Sequence, residues 1–213
     1  MNFDKFLISI SKIKNIPLPA QASQFKMSPP FRLELLELFK EPMKNAKRAG
    51  VMALFYPDEK QQTKLVLILR NTYKGVHSAQ ISFPGGKFEP QDNSLEKTAI
   101  RETHEEIGVS QQGIEVLKQL TEVYIPPSNF YVQPFLGIIK STPKFSKQDN
   151  EVEEVIEVLL HHFINDDNVI STSVETSYNM KVNVPAYKLN GHIVWGATAM
   201  ILSEIKDLLK NIL

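Results

Sequence analysis

The apolar residues of this chain change period several times, and each change marks an element. From Asn2 to about Asn15 they keep helical spacing, with Phe3, Phe6, Leu7, Ile10 and Ile13 on one stripe. Pro17 and Pro19 end that helix. The stretch 18–30, with proline near both ends, reads as a linker that lays the helix across the rest of the molecule. A second short helix is predicted over 32–39, broken by Pro42. From Ala46 the pattern turns to strands. Segments 48–56 and 64–70 flank a turn at 57–60 and are predicted to pair as a hairpin. The second is a near-continuous apolar run, suited to burial on both faces.

A polar loop, 71–80, follows, and Ile81-Ser82-Phe83 leads into a tight Pro84-Gly85-Gly86 turn. Ser94 is placed to cap a helix that stops at Gly108. Strand segments are predicted at 114–120, 122–125 and 130–139, then a polar loop over 141–150. In the strand that begins there, alternation groups Val152 with Glu154, and Glu151 with Glu153 and Val155. A short helix at 159–164 carries His161 and His162, which are adjacent and so make a poor metal pair. A final hairpin turns at Asn190-Gly191. The last helix opens at Trp195 and carries an apolar stripe of Ile201, Leu202, Ile205, Leu208, Leu209 and Ile212.

Composition narrows the class. The 213 residues carry 24 Lys+Arg against 24 Asp+Glu, which argues against a broad nucleic-acid footprint. There is no cysteine, hence neither disulfide nor thiolate chemistry. The longest apolar runs, such as 65–69, are far too short to span a bilayer, and the N-terminal FLISI run lacks an adequate signal core. The expectation is a cytoplasmic protein with a small-molecule partner, no nucleic acid and no membrane; a homodimer stays open.

The candidate chemistry lies on the helix before Gly108. Glu102, Glu105 and Glu106 fall at i, i+3 and i+4 and share one face, while Ile100 and Ile107 point the other way, toward a core. Taken alone, such a cluster is more often a solvated acidic face. Here it follows a Gly-Gly pair at a short distance and includes Arg101, which can reach Glu105 one turn on. Stacked carboxylates repel unless a positive charge sits between them, and hard oxygen donors with no cysteine favour Mg²⁺ or Mn²⁺ over Zn²⁺.

Residues 86–109 resemble the Nudix box, G-x5-E-x7-R-E-U-x-E-E-x-G-U with U aliphatic. Arg101, Glu102, Thr103 at a U position, Glu105, Glu106, Gly108 and Val109 fit its second half. Gly86 lies one residue too far from Arg101, and Asn93 stands where the first Glu belongs, with Asp92 beside it able to substitute. The coenzyme A pyrophosphatase branch shares that departure. Its upstream motif, L-L-T-x-R-[SA]-x3-R-x3-G-x3-F-P-G-G, is matched at Leu67, Arg70, Phe83, Pro84, Gly85 and Gly86; Gly75, beside Lys74, replaces its second Arg and Ala79 its Gly. The run from Ala22 to Arg32 and the Trp195-Gly196-Ala197-Thr198-Ala199 segment also resemble that branch, the latter with a structural role for Trp195.

The resemblance implies an α/β sandwich, a mixed sheet flanked by helices. It would form one unit over 46–213, with residues 1–45 as a helical extension packed on it. It implies hydrolysis of a pyrophosphate bond with Mg²⁺ or Mn²⁺. Glu102 and Glu106 would be metal ligands, Glu105 a further ligand or base, and Arg101 the residue that orients a carboxylate. Arg70, Lys74, Gly85 and Gly86 would meet the substrate. Glu151 and Glu154, outside the box, would bind metal or orient the attacking water. The implied substrate is coenzyme A or its thioesters, giving 3′,5′-ADP and 4′-phosphopantetheine. Alternatives are ADP-ribose, a dinucleotide or an oxidised nucleotide, and, in another class, a non-catalytic nucleotide-sensing domain.

Overall fold

A computed structural model describes residues 1–71, 80–175 and 181–213. The helices are α1 (Phe3–Ile10), α2 (Ala20–Gln24), α3 (Arg32–Leu38), α4 (Lys40–Met43), α5 (Leu95–Ile107), α6 (Leu160–Ile164) and α7 (Gly196–Lys210). The strands are β1 (Lys47–Pro57), β2 (Thr63–Arg70), β3 (Ile81–Ser82), β4 (Gly85–Lys87), β5 (Glu115–Gln119), β6 (Val123–Ile125), β7 (Phe130–Ile138), β8 (Val152–Leu159), β9 (Val169–Glu175), β10 (Lys181–Leu189) and β11 (His192–Val194). Among the described residues the main sheet runs β3-β2-β1-β7-β5, with β4 beside β1, β6 beside β7 and β8 beside β2. β1 and β7 pair in parallel from Lys47↔Phe130 to Phe55↔Ile138, and the other described pairings are antiparallel. The mixed α/β architecture is the one expected from the sequence.

Two cores sandwich the sheet. Alternate residues of β1 and β2 explain why: Met52, Leu54, Val66 and Ile68 pack with Ala99, Ile100 and Ile107 of α5. Ala53, Phe55, Leu65 and Leu67 pack on the other face with Phe3 and Phe6 of α1 and the stripe of α7. β2 is therefore buried on both faces, as its composition predicts. At Gly50 the helix comes so near that any Cβ would overlap the Leu95 carbonyl oxygen.

The extension departs from its expected outline. The helix over 2–15 becomes α1 followed by a 3-10 segment at Ser11–Asn15, with the Asn2 side chain accepting the Asp4 N–H at 3.0 Å. The expected linker folds into α2 and a 3-10 turn because its polar groups find buried partners. Gln24 donates to Glu204 and to the Thr121 carbonyl, and Ser203 donates to the Ser23 carbonyl. Pro42 does not break a helix: the break falls at Phe39, and Pro42 sits in the first turn of α4, where its missing N–H has no partner to lose.

Two further corrections concern strands. β9 lies in a stretch read as a polar loop; it pairs with β10 along its length, although none of its residues is fully buried. In β8 the alternation fails. Arg70 faces Val152 but Leu69 faces Glu154, so Glu153 is an extra residue, a bulge. Val152 and Val155 consequently share the α5 core, whereas Ile156 and Val158 turn to the opposite one.

Gly50→Ala should destabilise the protein by about 2–4 kcal/mol, because the neighbour it strikes is helix backbone and cannot rotate away. Urea unfolding checks this; a loss below about 0.5 kcal/mol would mean that α5 does not need this close approach.

Candidate active site

α5 begins and ends as its sequence dictates. The Ser94 hydroxyl accepts the Lys97 N–H at 3.2 Å, and Gly108 adopts φ 74° to close the helix, its N–H bonding the His104 carbonyl. Thr103, polar at an otherwise aliphatic position, is fully buried but donates to the Ala99 carbonyl at 2.6 Å. The carbonyls of Glu106 and Ile107 have no partner within the helix. Loop residues Gln148 and Ser146 supply N–H groups at 2.9 and 3.0 Å. That stitch sets the path of the loop into Glu151, whose carbonyl takes the Asn71 N–H at 2.9 Å.

The three box glutamates do not share one environment. The side chain of Glu106 is 1% exposed, that of Glu102 14% and that of Glu105 52%. Glu106 Oε2 accepts the Gly85 N–H at 2.7 Å. Glu102 lies directly on the Gly86 backbone, where any Cβ would overlap its carboxylate. Gly85-Gly86 is thus not a free turn but strand β4, hydrogen-bonded to Val51 and Gly50 of β1. Glu105 is turned away and held by Arg101 Nη1 at 2.7 Å.

Arg101 gathers four groups. Asp92 grips it side-on, with Oδ1 2.7 Å from Nε and Oδ2 3.0 Å from Nη2. Glu102 Oε1 lies 3.0 Å from Nη2, and the Lys87 carbonyl 3.3 Å. Asp92 does take the place of the Glu expected one residue later. It is buried, accepts also from Thr98 Oγ1 (2.8 Å) and the Glu89 N–H (2.9 Å), and is held down at about 2, chiefly by the Arg101 hydrogen bonds.

Burial does the opposite to the pair that faces the sheet. It raises Glu102, and it raises Glu106 to about 7, against the lowering influence of Arg70 and of the Gly85 N–H. The charge of Glu151 pushes both further up, so the structure brings this carboxylate to the pair. It does not bring Glu154, which contacts His192 of β11 at 3.3 Å. Lys74, Gly75, His77 and Ala79 lie outside the described residues.

Positive charge between the carboxylates comes from arginine. Arg70, at the bulged end of β2, brings Nη1 to 3.0 Å from Glu106 Oε1. That approach lacks hydrogen-bond geometry, and Oε1 stays buried without a hydrogen-bond partner. Among the described residues no three acidic or histidine side chains converge as a ready metal cage. Yet the donor set fits a hard cation. Two carboxylates stand one turn apart, one with an orphaned buried oxygen, at a site where a cation would relieve the charge that burial opposes.

A cavity of about 340 Å³ opens on the other side of the glycine strand. Arg70 and Gly85-Gly86-Lys87 line its inner end; Val51, Ile125, Phe130 and Val132 form its floor. Phe31, Arg32 and Leu35 of the extension close one wall, and residues 195–198, 200 and 201 another. Trp195, expected only to anchor α7, lines this space, as does Pro29 of the expected linker. The signal for it was faint: single aromatics and prolines far apart in sequence, joined only by the fold.

The NUDIX domain family model matches residues 46–171. Nudix hydrolase 15, mitochondrial, from Arabidopsis thaliana is 30% identical over 178 residues, 81% of this chain; the chain spans 62% of that relative's length. A Nudix hydrolase named NudL from Yersinia enterocolitica is 30% identical over 142 residues, 66% of this chain and 71% of the relative. The crystal structure of a Nudix hydrolase from M. smegmatis, RenU, matches with a TM-score of 0.54 at 15% identity, over 79% of this chain and 88% of that one. That structural likeness speaks for the fold.

The raised Glu106 predicts a pH signature in metal-free protein. An unfolded glutamate titrates near 4.5 and the folded one near 7, so its contribution to stability is complete below 4.5 and is lost as pH rises through about 7. Glu106→Gln, which keeps an acceptor for Gly85, should therefore gain stability relative to wild type between pH 5 and 8. Melting curves at both pH values test this; an equal difference at each would place the titration elsewhere.

Proposed function

Because this chain belongs to the Nudix hydrolase family, which acts on pyrophosphate bonds, we propose that it hydrolyses the pyrophosphate of coenzyme A or its thioesters, giving 3′,5′-ADP and 4′-phosphopantetheine. One observation carries the reading. Arg70 belongs to both halves of the site, touching the buried Glu106 and lining the cavity. A ligand in the cavity would meet the carboxylates across a wall of glycine backbone.

In this reading Glu102 and Glu106 would hold Mg²⁺ or Mn²⁺; Glu105, held aside by Arg101, would be a further ligand or base only on leaving that pair. A bound cation neutralises phosphate charge and makes water a better nucleophile. The chain's own groups do the positioning. Arg101 fixes Glu102 and Glu105, Asp92 fixes Arg101, and the Gly85 N–H fixes Glu106. Arg70 has the fork to take a pair of phosphate oxygens, and Lys74 is assigned to the same substrate. Glu151, whose charge acts on Glu102 and Glu106, is assigned to accept a proton from water. Glu154, at His192, serves the site only if the chain rearranges.

Coenzyme A is favoured by the spacing of Leu67, Arg70 and Phe83-Pro84-Gly85-Gly86 and by an apolar cavity that suits an extended arm. The second reading, ADP-ribose or a dinucleotide, is favoured by Gly75 and Ala79, where the branch motif has Arg and Gly.

Protein incubated with Mg²⁺ or Mn²⁺ and, in parallel, coenzyme A, ADP-ribose and NADH should release 3′,5′-ADP fastest, read by mass spectrometry. Untouched coenzyme A beside cleaved ADP-ribose would move the assignment to the second reading; no turnover would favour the sensing domain. Glu106→Gln should cut turnover by about 10²-fold or more while remaining folded by circular dichroism. Near-wild-type rates would remove Glu106 from the mechanism.

A further inference from the structure

Of the four arginines in the chain, three have carboxylate partners: Arg48 pairs with Glu122, Arg70 with Glu106, and Arg101 with Asp92, Glu102 and Glu105. Arg32 has none among the described residues. Its Nη2 donates to the Tyr124 carbonyl at 2.6 Å, and its Nε is buried with no hydrogen-bond partner. Burial lowers its pKa from the ordinary arginine value, the mark of a cation that has lost water without gaining an anion. A desolvated guanidinium with an idle donor costs stability unless a ligand supplies the acceptor. The residue does not anchor its own helix by packing, since α3 has no buried residue.

Its place relative to the carboxylates follows from strand register. Lys87, Ala49, Val132 and Val123 stand side by side on β4, β1, β7 and β6. Arg32 is tied to Tyr124, the next residue of β6. Three strand spacings therefore separate the guanidinium from the glycine strand, on the order of 14 Å. A nucleotide spans that gap and a lone phosphate does not. Arg32 lines the same cavity as Arg70. It lies outside residues 46–171, the segment that the NUDIX model matches, at the end of the 22–32 run.

We propose that Arg32 is a specificity-determining residue that binds a phosphate monoester on the part of the substrate away from the scissile bond. The inference rests on the coenzyme A reading, whose substrate carries such a group on its ribose. The Tyr124 carbonyl holds the guanidinium in place at the cavity wall, where an oxyanion would repay its desolvation. Arg70 and Arg32 then read the two phosphate-bearing ends of one ligand.

The test compares coenzyme A with dephospho-coenzyme A, which lacks only that phosphate, in wild type, Arg32→Gln and Arg32→Lys, each with Mg²⁺. Arg32→Gln should raise KM for coenzyme A by about ten- to a hundredfold, leave KM for dephospho-coenzyme A and both kcat values unchanged, and Arg32→Lys should recover part of the loss. Equal KM increases for both substrates would make Arg32 a packing residue and overturn the proposal. Calorimetry of metal-free protein with 3′,5′-ADP and with 5′-AMP separates this outcome from failure of the reaction assignment. A preference for 3′,5′-ADP that vanishes in Arg32→Gln supports the site even where turnover is slow. Equal binding of the two nucleotides by wild type overturns it, and binding of neither, together with no hydrolysis of coenzyme A, removes both the site and the substrate assignment.

Discussion

The close approach of α5 to the sheet governs this molecule. Gly50 lets the helix backbone rest on β1, and Gly86 lets β4 rest on Glu102. With a Cβ at either point the layers would part, and the space would hold side chains or water. Since it does not, Glu102 and Glu106 are desolvated, and every charged neighbour answers that fact. Arg70 leans on Glu106, Arg101 on Glu102, and Asp92 holds Arg101 in return. The site is a set of opposed charges forced together by backbone contact, with a residual negative bias that a divalent cation would satisfy.

Much of this could be read from the residues. Periodicity located the hairpin of β1 and β2, the capped helix from Ser94 to Gly108 and the apolar stripe of α7, because each element's burial is written into its own repeat. Helical geometry put Glu102, Glu105 and Glu106 on one face, and the resemblance to the Nudix box singled out Glu102 and Glu106. What escaped depended on partners distant in sequence. Glu105 shares the face by spacing, yet Arg101 draws it aside. Glu154 was joined to Glu151 by the resemblance, although strand alternation set them apart, and its partner is His192 of β11. β9 alternates Ile170, Thr172 and Val174 with Ser171, Ser173 and Glu175, a weak pattern among serines and threonines, and its pairing with β10 makes it a strand. The 141–150 loop read as polar filler, and its contribution lies in backbone donors, which no side chain advertises.

Asp92 shows how a motif can shift without losing its physics. The residue one position later, Asn93, adopts φ 60°, and that left-handed step lets the preceding carboxylate swing under Arg101. Arg101 needs a side-on acceptor with both oxygens in reach, and the backbone supplies it from a different number in the sequence.

The walls of the cavity have an evolutionary consequence. Phe31, Arg32 and Leu35 come from before the segment shared across the family, and the wall of residues 195–198, 200 and 201 from after it. Inheritance can therefore act on the two halves separately. Drift in the flanks would reshape the cavity walls while the carboxylate cluster stays under constant selection. Two relatives with matching boxes can thus differ in the walls that close the cavity while sharing its floor and its arginine end.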